Sequence, residues 1–222
     1  MSGDELRKRL RDYRWGEALR QLYLPRRAPE IVPRHTELYD CAAARLRPDN
    51  PIDLLEFGVA DGHTMRAFVS RFRSPEARFV GFDSFVGLPE QWQMHDRGGF
   101  STGGTPPVID ESRVQFVKGW FQDTVPGFLA ARTDWRNSVL VHFDADLYSS
   151  TLFLLTTLWH YLSQYYFIMD DFIFDEMIAL HDFSTVYPVE IEFFTQTTGG
   201  GPLPNPDQVF GHIKRTGFRL TG

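Results

Sequence analysis

The chain has 222 residues, of which 42% are hydrophobic and 15% aromatic. That is enough to bury a full core in one domain, and it excludes a disordered tail protein and a disulfide-stapled miniprotein. The net charge of −6 argues against nucleic acid as a partner. It is unevenly spread: the 77 residues between Arg136 and Lys214 contain no Lys or Arg but ten acids. The first 34 residues carry nine basic and five acidic side chains.

The single cysteine, Cys41, precludes an intrachain disulfide and reads as a small packed residue. No apolar run is long enough for a membrane span, and the charged N-terminus lacks the apolar core of a signal peptide. A cytoplasmic location is the expectation.

In chain order, residues 2–23 read as a helix, with Ser2 and Glu5 as a capping box and Leu6, Leu10, Tyr13, Leu19 and Leu22 on one face. Residues 24–34 hold three prolines and read as a connector. A second helix spans 36–46. Strand and helix then alternate: strand 52–57, helix 63–72, strand 78–82, a long Gly- and Pro-rich loop 86–112, strand 114–118, helix 123–131. The series continues with strand 139–143, helix 149–163, strand 166–169 and helix 174–182. Strands at 189–195 and 218–220 close it around a Gly/Pro loop, 198–206. The alternation predicts a doubly wound, mostly parallel α/β sheet over 51–222, preceded by a helical extension over 1–50. Ligands of such sheets sit at the carboxyl ends of the strands. The extension also leaves a surface for a homo-oligomer.

The strand ends carry the polar groups. Gly58 and Gly62 bracket the turn after the first strand, where backbone amides favour an anion. The spacing is Gly-x-x-x-Gly, without the dinucleotide or P-loop pattern. Asp83 ends the next strand, and a carboxylate there suits two ribose hydroxyls. The pair points to an adenosine-type ligand. Trp120 and Phe121 follow the third strand, either flanking a purine or plugging the core. Asp144 and Asp146, two residues apart, project to one side of an extended backbone. Asp170 and Asp171 end the next strand. Four clustered carboxylates need protons or a cation, and an all-oxygen donor set suits Mg²⁺ better than zinc. The other six acids of the basic-free stretch read as solvated. His142 and His181 read as structural. No Gly-x-Ser-x-Gly elbow is present, so a serine hydrolase is not expected.

Five segments in order resemble the macrocin O-methyltransferase (TylF-type) family of class I methyltransferases. They are Glu56-Phe-Gly-Val, Gly81-Phe-Asp-Ser-Phe-x-Gly-Leu-Pro-Glu90, Gly119-Trp-Phe-x-Asp-Thr-x-Pro126, Asp144-x-Asp-Leu-Tyr-x-Ser-Thr151 and Asp170-Asp171. The resemblance covers about residues 52–172. It implies a Rossmann-like fold that uses S-adenosylmethionine and a divalent metal, usually Mg²⁺, to methylate sugar hydroxyls. The acceptor would be a small molecule, a sugar or glycosylated natural product. By position, Glu56 and Gly58 would lie beside the methionine part of the cofactor, within a turn that also supplies Asp61, Gly62 and Thr64. Asp83, with Ser84 beside it, would hold the ribose, and Gly119, Trp120 and Phe121 would lie near adenine. Asp144, Asp170 and Asp171 would bind the metal, and Asp146 would be the general base. The chain departs from the family at Ala60-Asp61, where an aromatic or basic pair is usual. It departs again at Ser163-Gln-Tyr-Tyr166, where a Gly-Gly turn is usual.

Two other readings compete. A catechol-type O-methyltransferase also pairs Mg²⁺ with acids. A non-catalytic S-adenosylmethionine-binding subunit would bind the cofactor without turnover, but it would have no need of four mutually repelling carboxylates.

Overall fold

The computed structural model describes residues 3–135, 137–173, 175–198 and 206–217, with backbone alone at 3, 4 and 7. The expected strand at 218–220, the residue Ser2 of the capping box and most of the 198–206 loop lie outside the described residues.

Among the described residues eight strands form one sheet: β1 (Glu30–Val32), β2 (Ile52–Phe57), β3 (Arg78–Asp83), β4 (Val114–Lys118), β5 (Ser138–Phe143), β6 (Gln164–Met169), β7 (Val189–Thr198) and β8 (Pro206–Arg215). Their spatial order is β1-β7-β8-β6-β5-β2-β3-β4. Among the described residues six helices accompany them: α1 (Gly3–Ala18), α2 (His35–Leu46), α3 (His63–Arg71), α4 (Phe121–Ala131), α5 (Tyr148–Tyr161) and α6 (Asp175–Val186). A π-helical turn, Leu19–Tyr23, extends α1. The apolar strands β2 and β5 are buried on both faces, as sheets covered by helices on two sides require. One core cluster contains Phe57, Phe82, Phe143 and Leu155, and a second contains Leu54, Phe68, Phe79 and Leu140.

The chain steps outward through β2, β3 and β4, then returns to lay β5 on the other side of β2. This reversal opens a crevice at the carboxyl ends of β2 and β5, the expected ligand position in doubly wound sheets. All the pairings among β2 to β6 are parallel, and β8 alone runs antiparallel, between β6 and β7.

Two elements differ from the sequence reading. Residues 30–32, read as part of a connector, form β1 and pair in parallel with β7. Pro29 and Pro33 confine that strand to three residues, and the edge is where proline flanks are tolerated. Residues 206–215, read as loop up to 206 and otherwise unassigned, form the ten-residue strand β8. Gly211 interrupted its pattern, and its lack of side chain is required. A Cβ there would fall 2.4 Å from the Glu192 carbonyl oxygen and 2.6 Å from the Phe167 ring. The altered turn at Ser163 does not displace β6, because Asp170 N donates to the Phe143 carbonyl at 3.0 Å. Among the described residues no helix is long and apolar enough to cross a membrane.

Candidate active site

The crevice is a cleft of about 210 Å³ at the carboxyl edge of the sheet. Gly58, Asp83, Ser84, Gly119, Trp120, Phe121, Asp144 and Asp146 line it, joined by Gly87, Leu88 and Phe100 from the 86–112 loop. Gly58 is needed for the approach of β2 to β5: its φ is +93°, and a Cβ would lie 1.8 Å from the Asp144 carbonyl oxygen. Any side chain would push the two strand ends apart.

Asp83 clamps the glycine turn. Its Oδ2 accepts Val59 N at 2.8 Å and Ala60 N at 2.9 Å, and its Oδ1 accepts Phe85 N at 2.6 Å. A carboxylate offers about four lone-pair directions, so about one remains for an outside donor. Trp120 caps α4 and stands 36% exposed at the rim, whereas Phe121 also packs edge-on against Phe57, 5.7 Å between centroids. Both rings line the cleft, and Phe121 joins the core as well.

Six predicted residues do not line the cleft: Asp170 and Asp171, which neighbour Asp144 beside it, and the four residues Glu56, Asp61, Gly62 and Thr64. Glu56 is buried beneath it, with Oε1 3.3 Å from His142 Nδ1. Asp61 Oδ1 accepts His63 N at 3.0 Å, so the start of α3 is capped from within the chain. Gly62 is covered by the end of the long loop, where a Cβ would meet Pro107 at 2.9 Å. Thr64 hydrogen-bonds Tyr39. The departure at Ala60-Asp61 therefore coincides with a turn closed over by residues 105–109.

Beside the cleft, which Asp144 alone of the three lines, Asp144, Asp170 and Asp171 each offer an oxygen within 4.8 Å of the others. β5 ends at Phe143, and the extended backbone expected to carry both Asp144 and Asp146 does not continue to Asp146. Asp146 instead adopts φ +59°, a left-handed conformation that costs a non-glycine residue energy and is often found at functional positions. It reaches the cleft and shares a hydrogen bond with Asp171.

The electrostatics follow from burial and like charge. Burial, then Asp170, pushes Asp144 well above the carboxylate range. Burial, the Asp171 hydrogen bond and neighbouring charges push Asp146 up to about 8. Asp171 is raised by burial and by Asp170. Burial alone would lower His142, but Asp170 and Glu56 outweigh it and hold the ring well above its usual range.

Three residues at the site were not among the predicted site residues. His142 is fully buried, its Nε2 3.7 Å from Asp170 Oδ1. The alternation of His142 with Asp144 was the one hint. Glu176 is fully buried on α6, accepts Asp171 N at 3.3 Å, and is raised well above its usual range by burial and by Asp171. Gln208 on β8 donates its amide to Asp170 Oδ1.

The long loop is tied to α6 and to α5. Trp92 stacks on His95, 5.9 Å between centroids, and its Nε1 donates to Asp175 Oδ2 at 3.1 Å. Ser149 donates to Glu90 at 2.6 Å.

The family model for macrocin O-methyltransferase (TylF) matches residues 108–193. A curated relative from Streptomyces olivaceus is the 8-demethyl-8-(2,3-dimethoxy-alpha-L-rhamnosyl)-tetracenomycin-C 4'-O-methyltransferase. It is 30% identical over 179 residues, covering 70% of this chain and 67% of the relative. Among solved structures, the calicheamicin methyltransferase CalS11 aligns with a TM-score of 0.57 at 22% identity, over 96% of this chain and 93% of that one. A second CalS11 structure, the apo TDP-rhamnose 3'-O-methyltransferase, aligns with a TM-score of 0.50 at 24% identity, over 90% and 86%. The structural likenesses carry the Rossmann-like methyltransferase fold, and the sequence relative carries the family. The chain belongs to the macrocin O-methyltransferase (TylF) family and is an O-methyltransferase.

Proposed function

We propose that this O-methyltransferase moves the methyl group of S-adenosylmethionine to a hydroxyl of a sugar, free or carried on a natural product, with a divalent ion, Mg²⁺, at Asp144, Asp170 and Asp171. The observation that carries the reading is the convergence of those three carboxylates beside a cleft lined by Gly58, Asp83 and Trp120. The donor set fits the ion: oxygen ligands only, partly buried, mutually repelling, with burial and like charge raising Asp144 and Asp171. The sugar acceptor is supported by the rhamnosyl substrate in the relative's name.

When bound, S-adenosylmethionine supplies a sulfonium-activated methyl group, and the divalent ion supplies the positive charge that acidifies a neighbouring hydroxyl. Asp83 offers its remaining acceptor direction to the ribose. Trp120 and Phe121 flank the adenine from the rim and the floor. Asp146 takes the acceptor proton, since it lines the cleft and touches Asp171. Leu88 and Phe100 cover the cleft and limit water.

The test is transfer from labelled S-adenosylmethionine to a nucleotide-linked deoxysugar, a glycosylated natural product and a catechol, with Mg²⁺ or excess EDTA. Expected is methylation of a sugar hydroxyl that EDTA abolishes. Transfer to catechol alone overturns the acceptor class, and full turnover in EDTA overturns the metal. Asp83→Ala should weaken S-adenosylhomocysteine binding by about 10- to 100-fold, the worth of one charge-assisted hydrogen bond. An unchanged affinity by calorimetry would remove Asp83 from the cofactor site.

A further inference from the structure

Asp170 is gripped by a strand that carries none of the family motifs. β8 lies antiparallel to β6 with Val209 opposite Met169, which brings Gln208 beside Asp170. Gln208 is 0% exposed. Its backbone N–H donates to Thr197 Oγ1 at 2.9 Å, which fixes the residue at the start of the strand. Its Nε2 donates to Asp170 Oδ1 and lies 3.4 Å from Tyr39 Oη. His142 Nε2 lies 3.7 Å from the same Asp170 oxygen. Two nitrogens therefore converge on Oδ1.

The cost of this arrangement is visible. Gln208 Oε1 is buried without a hydrogen-bond partner. A buried unsatisfied carbonyl costs about 1–3 kcal/mol, and an apolar side chain of similar size would avoid it. Packing therefore does not explain the amide. A carboxylate only accepts hydrogen bonds, so the nitrogen must face Asp170, and the orphaned oxygen is the consequence of that choice.

We infer that Gln208 is a positioning residue: it holds Asp170 by Oδ1, with His142 behind, and leaves Oδ2 as the oxygen presented to the divalent ion. This rests on the metal reading given above. A strand that joins the sheet last in sequence thus sets the rotamer of an acid at the catalytic edge. Residues that orient a metal ligand in this way typically change ion affinity about 10- to 100-fold when removed.

The test compares wild type with Gln208→Met, which keeps the volume and removes the donor. Gln208→Asn, whose amide is one methylene too short to reach Asp170, carries the test if the Met variant does not fold. Mn²⁺ serves as the probe, with free and bound ion separated by electron paramagnetic resonance. S-adenosylhomocysteine affinity and the metal-free melting temperature are measured alongside. Expected are Mn²⁺ binding by wild type and about 10-fold weaker binding or more in the variants, with cofactor affinity unchanged. A lowered melting temperature with unchanged Mn²⁺ affinity would make Gln208 merely structural and overturn the inference, leaving the metal reading intact. Failure of wild type to bind Mn²⁺ at all would overturn both.

Discussion

Asp146→Asn is expected to lower kcat by about 10² to 10⁴-fold, the usual worth of a positioned general base. The Asn variant keeps the shape and the left-handed backbone, for which Asn is among the better-tolerated residues. It loses the ability to accept a proton. Because Asp146 is not among the three converging carboxylates proposed to hold the ion, Mn²⁺ and S-adenosylhomocysteine affinities should stay within a few fold of wild type. Asp144→Asn should behave differently, losing ion affinity and turnover together while cofactor binding persists. Quenched-flow transfer with a sugar acceptor, set beside the two binding constants, separates the cases. Turnover of Asp146→Asn within a few fold of wild type would remove the base from the mechanism.

The carboxylates were legible in the sequence because strand ends announce themselves. Asp83, Asp144, Asp170 and Asp171 each follow an apolar run, and a parallel sheet sends all such ends to one edge. Gly58 was legible as a turn, although its closest constraint, the Asp144 backbone, lies 86 residues away and belongs to topology. Gln208 and Glu176 were not legible. Neither sits in a motif, and the first reaches Asp170 only because β8 inserts antiparallel next to β6. Asp61, Gly62 and Thr64 were read from the turn, yet local capping and the 105–109 segment take them away from the cleft.

The six acids read as solvated are mostly not. Asp182 accepts hydrogen bonds from Arg14 and, at 2.8 Å, from Tyr148; Asp175 accepts Trp92; Asp207 lies 3.2 Å from His35; and Glu176 is fully buried. The basic N-terminal helix thus answers one of these charges directly, through the packing of α1 on α6. A contrast at the other end of the sheet sharpens the point. The buried Asp53 is paired with Arg78 at 2.9 Å and Arg132 at 3.3 Å. The acids at the carboxyl edge face one another and His142 instead, an arrangement that is stable only with bound protons or with a cation.

That choice has a measurable sign. Asp144, Asp146, Asp171 and Glu176 all have folded-state pKa values raised above ordinary carboxylates, Asp146 to about 8. In the metal-free protein the native state therefore binds more protons than the unfolded chain between about pH 4 and pH 8, and stability falls as pH rises through that window. His142 acts in the same direction: its raised pKa stabilises below about pH 6.5, and that contribution is lost as pH climbs through the folded value. Glu111, lowered to about 2 by Arg113, has the opposite sign, but its contribution changes only below about pH 5. A divalent ion competes with these protons, so it should stabilise little at pH 5 and most at pH 8. The metal-free melting temperature is expected to drop from pH 5 to pH 8, and saturating Mg²⁺ should restore several degrees at pH 8, at about 2–4 °C per kcal/mol for a chain this size. A Mg²⁺-induced shift that is equal at both pH values, or larger at pH 5, would mean that the four carboxylates are not what the ion discharges.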